Sequence, residues 1–166
     1  SYPDFSRFWE TIEKHKVTQF YTAPTAIRAL AKESLEYVQK HPLKSLKVIG
    51  SVGEPINEEA WHWYNDHVGG KRCPVVDTWW QTETGGVMIS PIPFVTPTKP
   101  TYATLPLPGI QPVLMDEKRN EIGGNQKEGS LCIKFPWPGI ARTIWGDHQR
   151  YKDTYFSAFP GKYFTG

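Results

Sequence analysis

The segment Asp77–Gly86 contains the densest group of side chains that could do chemistry. Two adjacent tryptophans, Trp79 and Trp80, stand among three threonines, a glutamate and two glycines. A flat aromatic surface suits a purine base, and hydroxyls with backbone N–H groups suit phosphate oxygens. A carboxylate beside phosphates suits Mg²⁺, which takes only one or two protein oxygens. The residues leave open a second interpretation, a buried tryptophan pair followed by an ordinary polar turn.

Two further segments place small and polar residues directly after an apolar stretch, Tyr21–Thr25 and Ser51–Pro55. In the second, Gly53 would let a planar ligand approach the backbone and Pro55 would stiffen the exit. A plain strand-to-helix turn explains the same residues without a ligand. Because ligands of open parallel sheets bind at the carboxyl edge of the strands, the coincidence of three such segments predicts a binding site there.

Other arrangements do not support a site. His62 and His67 are five residues apart, whereas two metal ligands on one helix face need a spacing of four. The sequence contains no G-x-x-x-x-G-K-[ST] phosphate loop and no G-x-S-x-G nucleophile motif.

The elements that must position these residues follow an α/β pattern. Apolar residues at helical spacing, with Asp4 as a candidate N-cap, predict a first helix. Short β-branched and aromatic runs alternate with further helical stretches, which predicts a parallel sheet with covering helices. The predicted strands are 17–21, 46–52 and 75–79. The first predicted helix carries the apolar positions Phe5, Phe8, Trp9 and Ile12. The second covers 26–32, and the third runs from the N-cap Asn57 through Val68.

The pattern changes near Gly85, where prolines interrupt a long non-helical region. Strands are predicted at 112–116 and 129–135, with a solvated turn between them, and a last helix at 147–156. We therefore predict an α/β fold in which parallel βαβ units are followed by a β-rich, barrel-like or sandwich-like segment. Residues 1–90 would form the α/β part of the chain, and 91–166 the β-rich segment.

Composition narrows the classes of function. Lysine plus arginine number 19 and aspartate plus glutamate 17, so the net charge of +2 gives no reason to expect nucleic acid or an anionic membrane as partner. No apolar run approaches the roughly 18 residues that span a bilayer. Two cysteines without a C-x-x-C pair, Cys73 and Cys132, favour a cytoplasmic location.

Four motifs resemble those of the AMP-forming acetyl-coenzyme A synthetase family, within the adenylate-forming superfamily of acyl-CoA synthetases. They are Tyr21–Ala26, Gly50–Ile56, Asp77–Gly85 and Tyr163–Gly166, and they stand in the family's order and spacing across essentially the whole chain. The resemblance implies an acetate–CoA ligase that forms acetyl-adenylate from acetate and Mg-ATP and then transfers the acetyl group to coenzyme A.

The resemblance also implies roles for individual residues. Thr82 would contact the α-phosphate and Glu83 would bind Mg²⁺, so these two are the catalytic candidates. Trp80 would wall an acyl pocket small enough to favour acetate, together with Val52, and Ala23 would lie near the path of coenzyme A. The expected nucleotide-binding residues are Gly53, Glu54, Pro55, Asp77, Thr78, Trp79, Trp80, Gln81 and Thr82.

The same resemblance implies a truncated large domain, in which residues 1–90 form part of a nucleotide- and acyl-binding subdomain and residues 91–166 form the β-rich segment of the same domain. The family's upstream phosphate loop and its carboxy-terminal domain, with the adenylation lysine, are absent from the 166 residues. The chain alone is therefore expected to make no acetyl-CoA, and its aromatic load, including Trp9, Trp61, Trp63 and Trp145, to favour self-association. The alternative from the residues is a stand-alone aromatic-rich module that binds a small ligand or a partner.

Overall fold

The computed structural model describes residues 2–166 and divides into two compact units. The parallel unit comprises residues 2–79 together with Ile89–Leu105, and the antiparallel unit comprises Trp80–Met88 together with Pro106–Gly166. Each unit is described by itself. The assignment of residues 1–90 and 91–166 to two parts of one large domain stays a prediction.

The parallel unit confirms the predicted alternation of helices and strands. Its elements are α1 Arg7–His15, β1 Gln19–Thr22, α2 Pro24–Ala31, α3 Glu36–Gln39, β2 Val48–Ser51, α4 Glu58–Trp63, a π-helical turn Tyr64–Val68 and β3 Val75–Asp77. The three strands pair in the order β1-β2-β3, and both pairs are parallel, with Phe20 opposite Ile49 and Ile49 opposite Val75.

The core of the parallel unit lies between the sheet and its helices. Ile49 of the central strand is fully buried, and α1 contributes Trp9 and Ile12 from the helical face that the spacing predicted. Tyr64 packs its ring edge-on against Phe20 at 6.1 Å between centroids. Burial of this aromatic and aliphatic surface is the main contribution to the stability of the unit.

Two details of the sequence interpretation were wrong. The N-cap of α1 is Ser6, not Asp4, because Asp4 Oδ1 instead accepts a hydrogen bond from the Ser6 N–H at 2.7 Å and the helix begins only at Arg7. The aromatic residues expected to favour self-association included Trp9 and Trp61, but both are buried in the core. Trp145 projects into solvent, and self-association stays a prediction.

The antiparallel unit contains the predicted β-rich segment. Its elements are a 3₁₀ turn Thr82–Thr84, β4 Pro112–Met115, β5 Glu121–Ile122, β6 Ser130–Ile133, α5 His148–Phe156 and β7 Tyr163–Phe164. The four strands pair in the order β5-β4-β6-β7, and all pairs are antiparallel. Within residues 2–166 they form an open sheet and not a closed barrel.

Local hydrogen bonds explain two of its boundaries. Asp116 Oδ1 accepts from the Asn120 N–H at 2.7 Å and closes the predicted turn between β4 and β5. Asp147 Oδ1 accepts from the Arg150 N–H at 2.9 Å, so this aspartate caps α5 where the sequence places the helix start. In the part of the chain that the structure describes, no helix is long and apolar enough to cross a membrane.

The hydroxyl of Tyr64 provides a test of how the parallel sheet is held. This fully buried group reaches the carbonyl oxygens of Phe20 at 3.0 Å and Gly50 at 3.2 Å, so it bridges β1 and β2. Tyr64→Phe should lower the free energy of unfolding by about 1–2 kcal/mol, because a buried hydrogen bond is lost. Urea unfolding at unchanged m-value measures the effect.

The matched control is Tyr37→Phe. Tyr37 is half-buried against the same core, but its hydroxyl makes no hydrogen bond within residues 2–166. The control should change the unfolding free energy by less than about 0.5 kcal/mol. Equal effects of the two substitutions would show that the bridge from Tyr64 contributes nothing beyond packing.

Candidate functional site

The ends of the three parallel strands share one edge of the sheet, as predicted. Beyond β1 the chain passes to Ala23, beyond β2 to the loop Val52–Pro55, and beyond β3 to Thr78 and Trp79. These residues belong to the parallel unit, together with Asp77. The other predicted site residues lie in the antiparallel unit and are Trp80, Gln81, Thr82 and Glu83.

The loop after β2 is open at Gly53. This residue is exposed, has a φ of 95°, and has no atom within 4 Å of the place where a Cβ would stand. Pro55 is exposed as well. The left-handed backbone therefore requires glycine here, and the space above it is free for a planar group to approach the main chain.

The carboxylate of Glu54 is occupied by other parts of the parallel unit. Oε1 accepts from the Thr25 N–H at 2.8 Å and also from the Thr25 hydroxyl, and Oε2 accepts from Arg28 Nη2 at 2.9 Å. The hydroxyl of Thr25 and the guanidinium of Arg28 hold the pKa of Glu54 below its usual range. Both oxygens thus have protein partners.

Asp77 is a buried carboxylate at the end of β3. Burial raises its pKa, and hydrogen bonds from its neighbours oppose that shift only in part. The Ser51 hydroxyl donates to Asp77 Oδ1 at 2.5 Å. Because no cation pairs with it among the described residues, Asp77 is an acceptor whose charge is costly unless a ligand donates to it.

Tyr21 begins one of the three segments predicted at this edge, but the sequence indicated no contact for its side chain. Its hydroxyl lies 2.5 Å from Thr78 Oγ1, while Thr78 itself donates to the Ser51 carbonyl at 3.0 Å. A Cβ at Gly50 would stand 2.8 Å from Tyr21 Cδ2, so the ring crosses the middle strand over this glycine. Gly50 inside an apolar strand is the signal in the sequence that could have indicated the close approach of the Tyr21 ring.

The two tryptophans are not a buried pair. Trp79 is half-buried and pairs with Ile89 through two backbone hydrogen bonds, of 2.9 and 3.3 Å. Trp80 keeps 39% of its surface exposed. Filling of a core therefore does not explain the pair, and aromatic surface is left for a ligand.

The turn Thr82–Thr84 is held by Thr84. Its buried hydroxyl donates to the Gln81 carbonyl at 2.7 Å and accepts from the Gln81 N–H at 3.0 Å. Gly85 ends the turn with a φ of 71°. Thr82 is exposed, and its hydroxyl makes no hydrogen bond within residues 2–166, so the turn presents that hydroxyl to solvent.

Glu83 has one carboxylate oxygen held and one open. Tyr155 donates its hydroxyl to Oε1 at 2.8 Å, whereas Oε2 has no hydrogen bond to any described residue. Burial raises the pKa of Tyr155, and the bond to Glu83 raises it further, so the tyrosine stays a donor. Its ring stacks on Tyr163, with 5.2 Å between centroids and an interplanar angle of 13°.

The donor set fits Mg²⁺ bound together with phosphates. Within residues 2–166, no group of three or more His, Cys, Asp or Glu side chains could hold a metal by itself. Mg²⁺ does not need such a group, because it takes one or two carboxylate oxygens and completes its shell with phosphate and water. The open oxygen of Glu83 offers one such ligand.

Residues far along the chain fix the turn in place, and sequence reasoning did not find them. Trp137 Nε1 donates to the Thr84 carbonyl at 2.7 Å, and the Ala141 N–H donates to the Glu83 carbonyl at 3.0 Å. Gln81 Nε2 donates to the Thr165 carbonyl at 2.5 Å. The motif Tyr163–Gly166 includes Thr165, but the sequence did not indicate that Thr165 binds Gln81.

Comparison with known proteins assigns the family. Residues 1–145 match the family described as AMP-binding enzyme, which is most of the chain. The chain belongs to the AMP-binding enzyme family. The predicted resemblance to adenylate-forming enzymes is thus confirmed.

Curated relatives agree with this assignment. An acetyl-coenzyme A synthetase of Leptospira biflexa is 58% identical over 167 residues, which cover 100% of this chain and 26% of that protein. The acetyl-coenzyme A synthetase of Coprinopsis cinerea is 57% identical over 99% of the chain. Acetyl-coenzyme A synthetase 2 of Pseudomonas putida is 58% identical over 100% of it. The chain spans about a quarter of the length of these relatives.

The two glycines that follow the turn form a matched pair for mutation. A Cβ at Gly85 would lie 2.2 Å from the Gly139 carbonyl oxygen, and its φ is positive, whereas a Cβ at Gly86 meets nothing within 4 Å. Gly85→Ala should therefore destabilise the chain by at least about 1 kcal/mol from the left-handed backbone alone, with the clash in addition. Gly86→Ala should be neutral or slightly stabilising. Chemical denaturation of both variants would contradict this geometry if they behaved alike.

Asp77 should give stability a definite pH dependence. Because its folded-state pKa is raised, the folded chain holds this proton more tightly than the unfolded chain does. Its contribution to stability is therefore complete below the ordinary aspartate pKa of about 4 and is lost as the pH rises through the raised value. Asp77→Asn should remove that slope, so the variant should gain stability relative to the wild type from acid to neutral pH.

Asp116→Asn is the control with the opposite sign. Hydrogen bonds from Asn120 lower the pKa of Asp116, so its contribution is present at neutral pH and is lost as the pH falls through the lowered value. Unfolding curves of both variants and the wild type are collected from about pH 3 to about pH 8. This range includes the ordinary carboxyl pKa of about 4. Parallel pH profiles for the two substitutions would rule out the burial argument for Asp77.

Proposed function

We propose that the complete protein is an acetate–CoA ligase that forms AMP. It would join acetate to the α-phosphate of ATP with release of pyrophosphate, and the thiol of coenzyme A would then displace AMP from acetyl-adenylate. The observation that supports this proposal is the 56–58% identity, over 99–100% of the chain, to proteins named acetyl-coenzyme A synthetase. Acetate, ATP and coenzyme A are accordingly the proposed small-molecule substrates, in a cytoplasmic setting.

In the parallel unit, we assign the residues after β2 and β3 to the nucleotide. Gly53 and Pro55, with the main chain of Glu54, would line the adenine, since Gly53 leaves its main chain open to a planar group. Asp77 would accept a hydrogen bond from a donor of the nucleotide, which would offset the cost of its burial. Trp79 would stack on the base, Thr78 would support the same pocket, Val52 would contact the acyl group, and Ala23 would lie beside coenzyme A.

In the antiparallel unit, we assign Thr82 and Glu83 to the phosphates and their metal, and Gln81 to the nucleotide pocket. The Thr82 hydroxyl is free to donate to the α-phosphate oxygen on which negative charge develops. Glu83 would bind Mg²⁺ through the carboxylate oxygen that Tyr155 does not hold. When bound, Mg²⁺ supplies positive charge that offsets the charge of the phosphates. Because the turn is already held by Trp137 and Ala141, these groups need little rearrangement to act.

Acetate-dependent exchange of pyrophosphate into ATP tests the proposed function. The assay uses the complete gene product, since the relatives are about four times as long as this chain. Acetate should support exchange without coenzyme A, and addition of coenzyme A should release AMP. Exchange that requires a different carboxylic acid, or none at all with acetate under conditions where ATP binds, would contradict the assignment.

The exposed ring of Trp80 should limit the length of the acyl chain. Trp80→Gly removes an indole from the proposed acyl pocket, and each methylene accommodated there is worth about tenfold or more in kcat/KM. The variant should therefore raise kcat/KM for butyrate relative to acetate by at least about tenfold. Kinetics with straight-chain acids of about two to six carbons measure the shift.

Trp145→Gly is the matched control for this substitution. Trp145 is 98% exposed, so its removal deletes the same side chain without opening a pocket. The control should leave the preference among acids unchanged. An unaltered preference in folded Trp80→Gly enzyme would show that this indole does not wall the acyl pocket.

A further inference from the structure

Glu54 makes a set of contacts that the proposed nucleotide site does not explain. Its side chain turns toward Thr25 and Arg28, which are 29 and 26 residues earlier in the chain. We propose that Glu54 is a positioning residue, whose carboxylate ties the loop after β2 to the first turn of α2 and does not contact the nucleotide. The consequence for catalysis rests on the proposed function, whereas the tie itself does not.

Both oxygens of the Glu54 carboxylate bind the first turn of α2. Oε1 receives both the N–H and the hydroxyl of Thr25, and Oε2 receives Arg28 Nη2 at 2.9 Å. Arg28 Nη2 also donates to Thr25 Oγ1 at 3.0 Å, which closes a ring of three side chains. A group bound on both oxygens in this way has a fixed orientation and little freedom to turn toward a ligand.

The local sequence explains why α2 needs an acceptor from elsewhere. Ala23 occupies the N-cap and has no side-chain oxygen, and Pro24 stands at the first helical position. The N–H of Thr25 is therefore one of the donors that a helix start leaves unpaired. Glu54 supplies both the missing acceptor and a negative charge at the positive end of the helix.

The tie joins two segments that the proposed function gives to different ligands. Gly53 and Pro55 flank Glu54 on the adenine side, and Ala23, assigned to the path of coenzyme A, directly precedes the capped turn. The loop is also fixed by the end of β2 and by Pro55, whereas the start of α2 has no other cap. Loss of the carboxylate should therefore loosen the coenzyme A side more than the adenine side.

Two measurements on the complete gene product test the proposal, with Glu54→Ala as the main variant. Hydrogen–deuterium exchange of peptides covering residues 19–31 reports the capped turn directly, and Glu54→Ala should speed exchange there. In steady-state kinetics, the KM for coenzyme A should rise by about three- to tenfold, a range set by loss of a partly exposed charged hydrogen bond. Acetate-dependent pyrophosphate exchange should fall by a smaller factor.

Glu54→Gln and Glu10→Ala complete the design. Glutamine can still accept from Thr25 but cannot pair with Arg28 as an ion, so it should restore part of the protection and part of the affinity for coenzyme A. Glu10 is an exposed carboxylate on α1 without a hydrogen bond or ion pair to any described residue, and its removal should change neither readout.

The outcomes separate the tie from the proposed function. Unchanged exchange over residues 19–31 in Glu54→Ala would overturn the tie, whatever the kinetics show. A second outcome is faster hydrogen–deuterium exchange in Glu54→Ala, with pyrophosphate exchange reduced by a larger factor than the affinity for coenzyme A. That outcome would place the carboxylate at the nucleotide and overturn the positioning role. If the wild type shows no acetate-dependent activity, the proposed function fails. The hydrogen–deuterium exchange of residues 19–31 still decides whether Glu54 caps α2.

Discussion

Parallel pairing of β1, β2 and β3 is the constraint on which the candidate site of the parallel unit depends. The register sets Thr22 opposite Ser51 and Ser51 opposite Asp77, so the chain leaves all three strands at the same level. Helices return the chain from the ends of β1 and β2 to the start of the next strand, which leaves short polar segments at the carboxyl edge. Buried packing around Ile49 fixes that register, because a slip of one residue would turn every apolar side chain away from the core.

Within each of the two units, the polar groups of the predicted site residues divide into those with protein hydrogen-bond partners and those without. The carboxylate of Glu54 and one oxygen each of Asp77 and Glu83 have protein donors. The hydroxyl of Thr82 and the second oxygen of Glu83 have no partner within residues 2–166. Groups with hydrogen-bond partners are held in one orientation, whereas groups without partners are free to bind a ligand. Residues of one motif therefore fall into two classes. A motif match alone does not distinguish them.

The sequence predicted the elements of the parallel unit well, because each has a strong local pattern. The apolar spacing of Trp9 and Ile12 and the β-branched run at Val75 determine a helix and a strand from neighbouring residues alone. The predictions failed where a contact between distant residues decided the outcome. Asp4 looks like a cap until its bond to Ser6 is known, and Trp61 looks like surface until the core around Tyr64 is known. The short strands β5 and β7, two residues each, have no local pattern of their own and form by pairing with β4 and β6.

The same distinction applies to the turn Thr82–Thr84 and explains why its residues could be named but not oriented from the sequence. Thr84 closes the turn locally through Gln81, and that part follows from the motif itself. The orientation of Glu83 comes from Tyr155, which is 72 residues later, and that of Gln81 from Thr165, which is 84 residues later. Gly85 must be glycine because a Cβ there would clash with the Gly139 carbonyl oxygen, and the residues next to Gly85 in the sequence do not reveal that contact. The orientation of the side chains in this turn is therefore determined by residues that are distant in the sequence and close in space. The motif itself contains only the contacts that form within about ten residues.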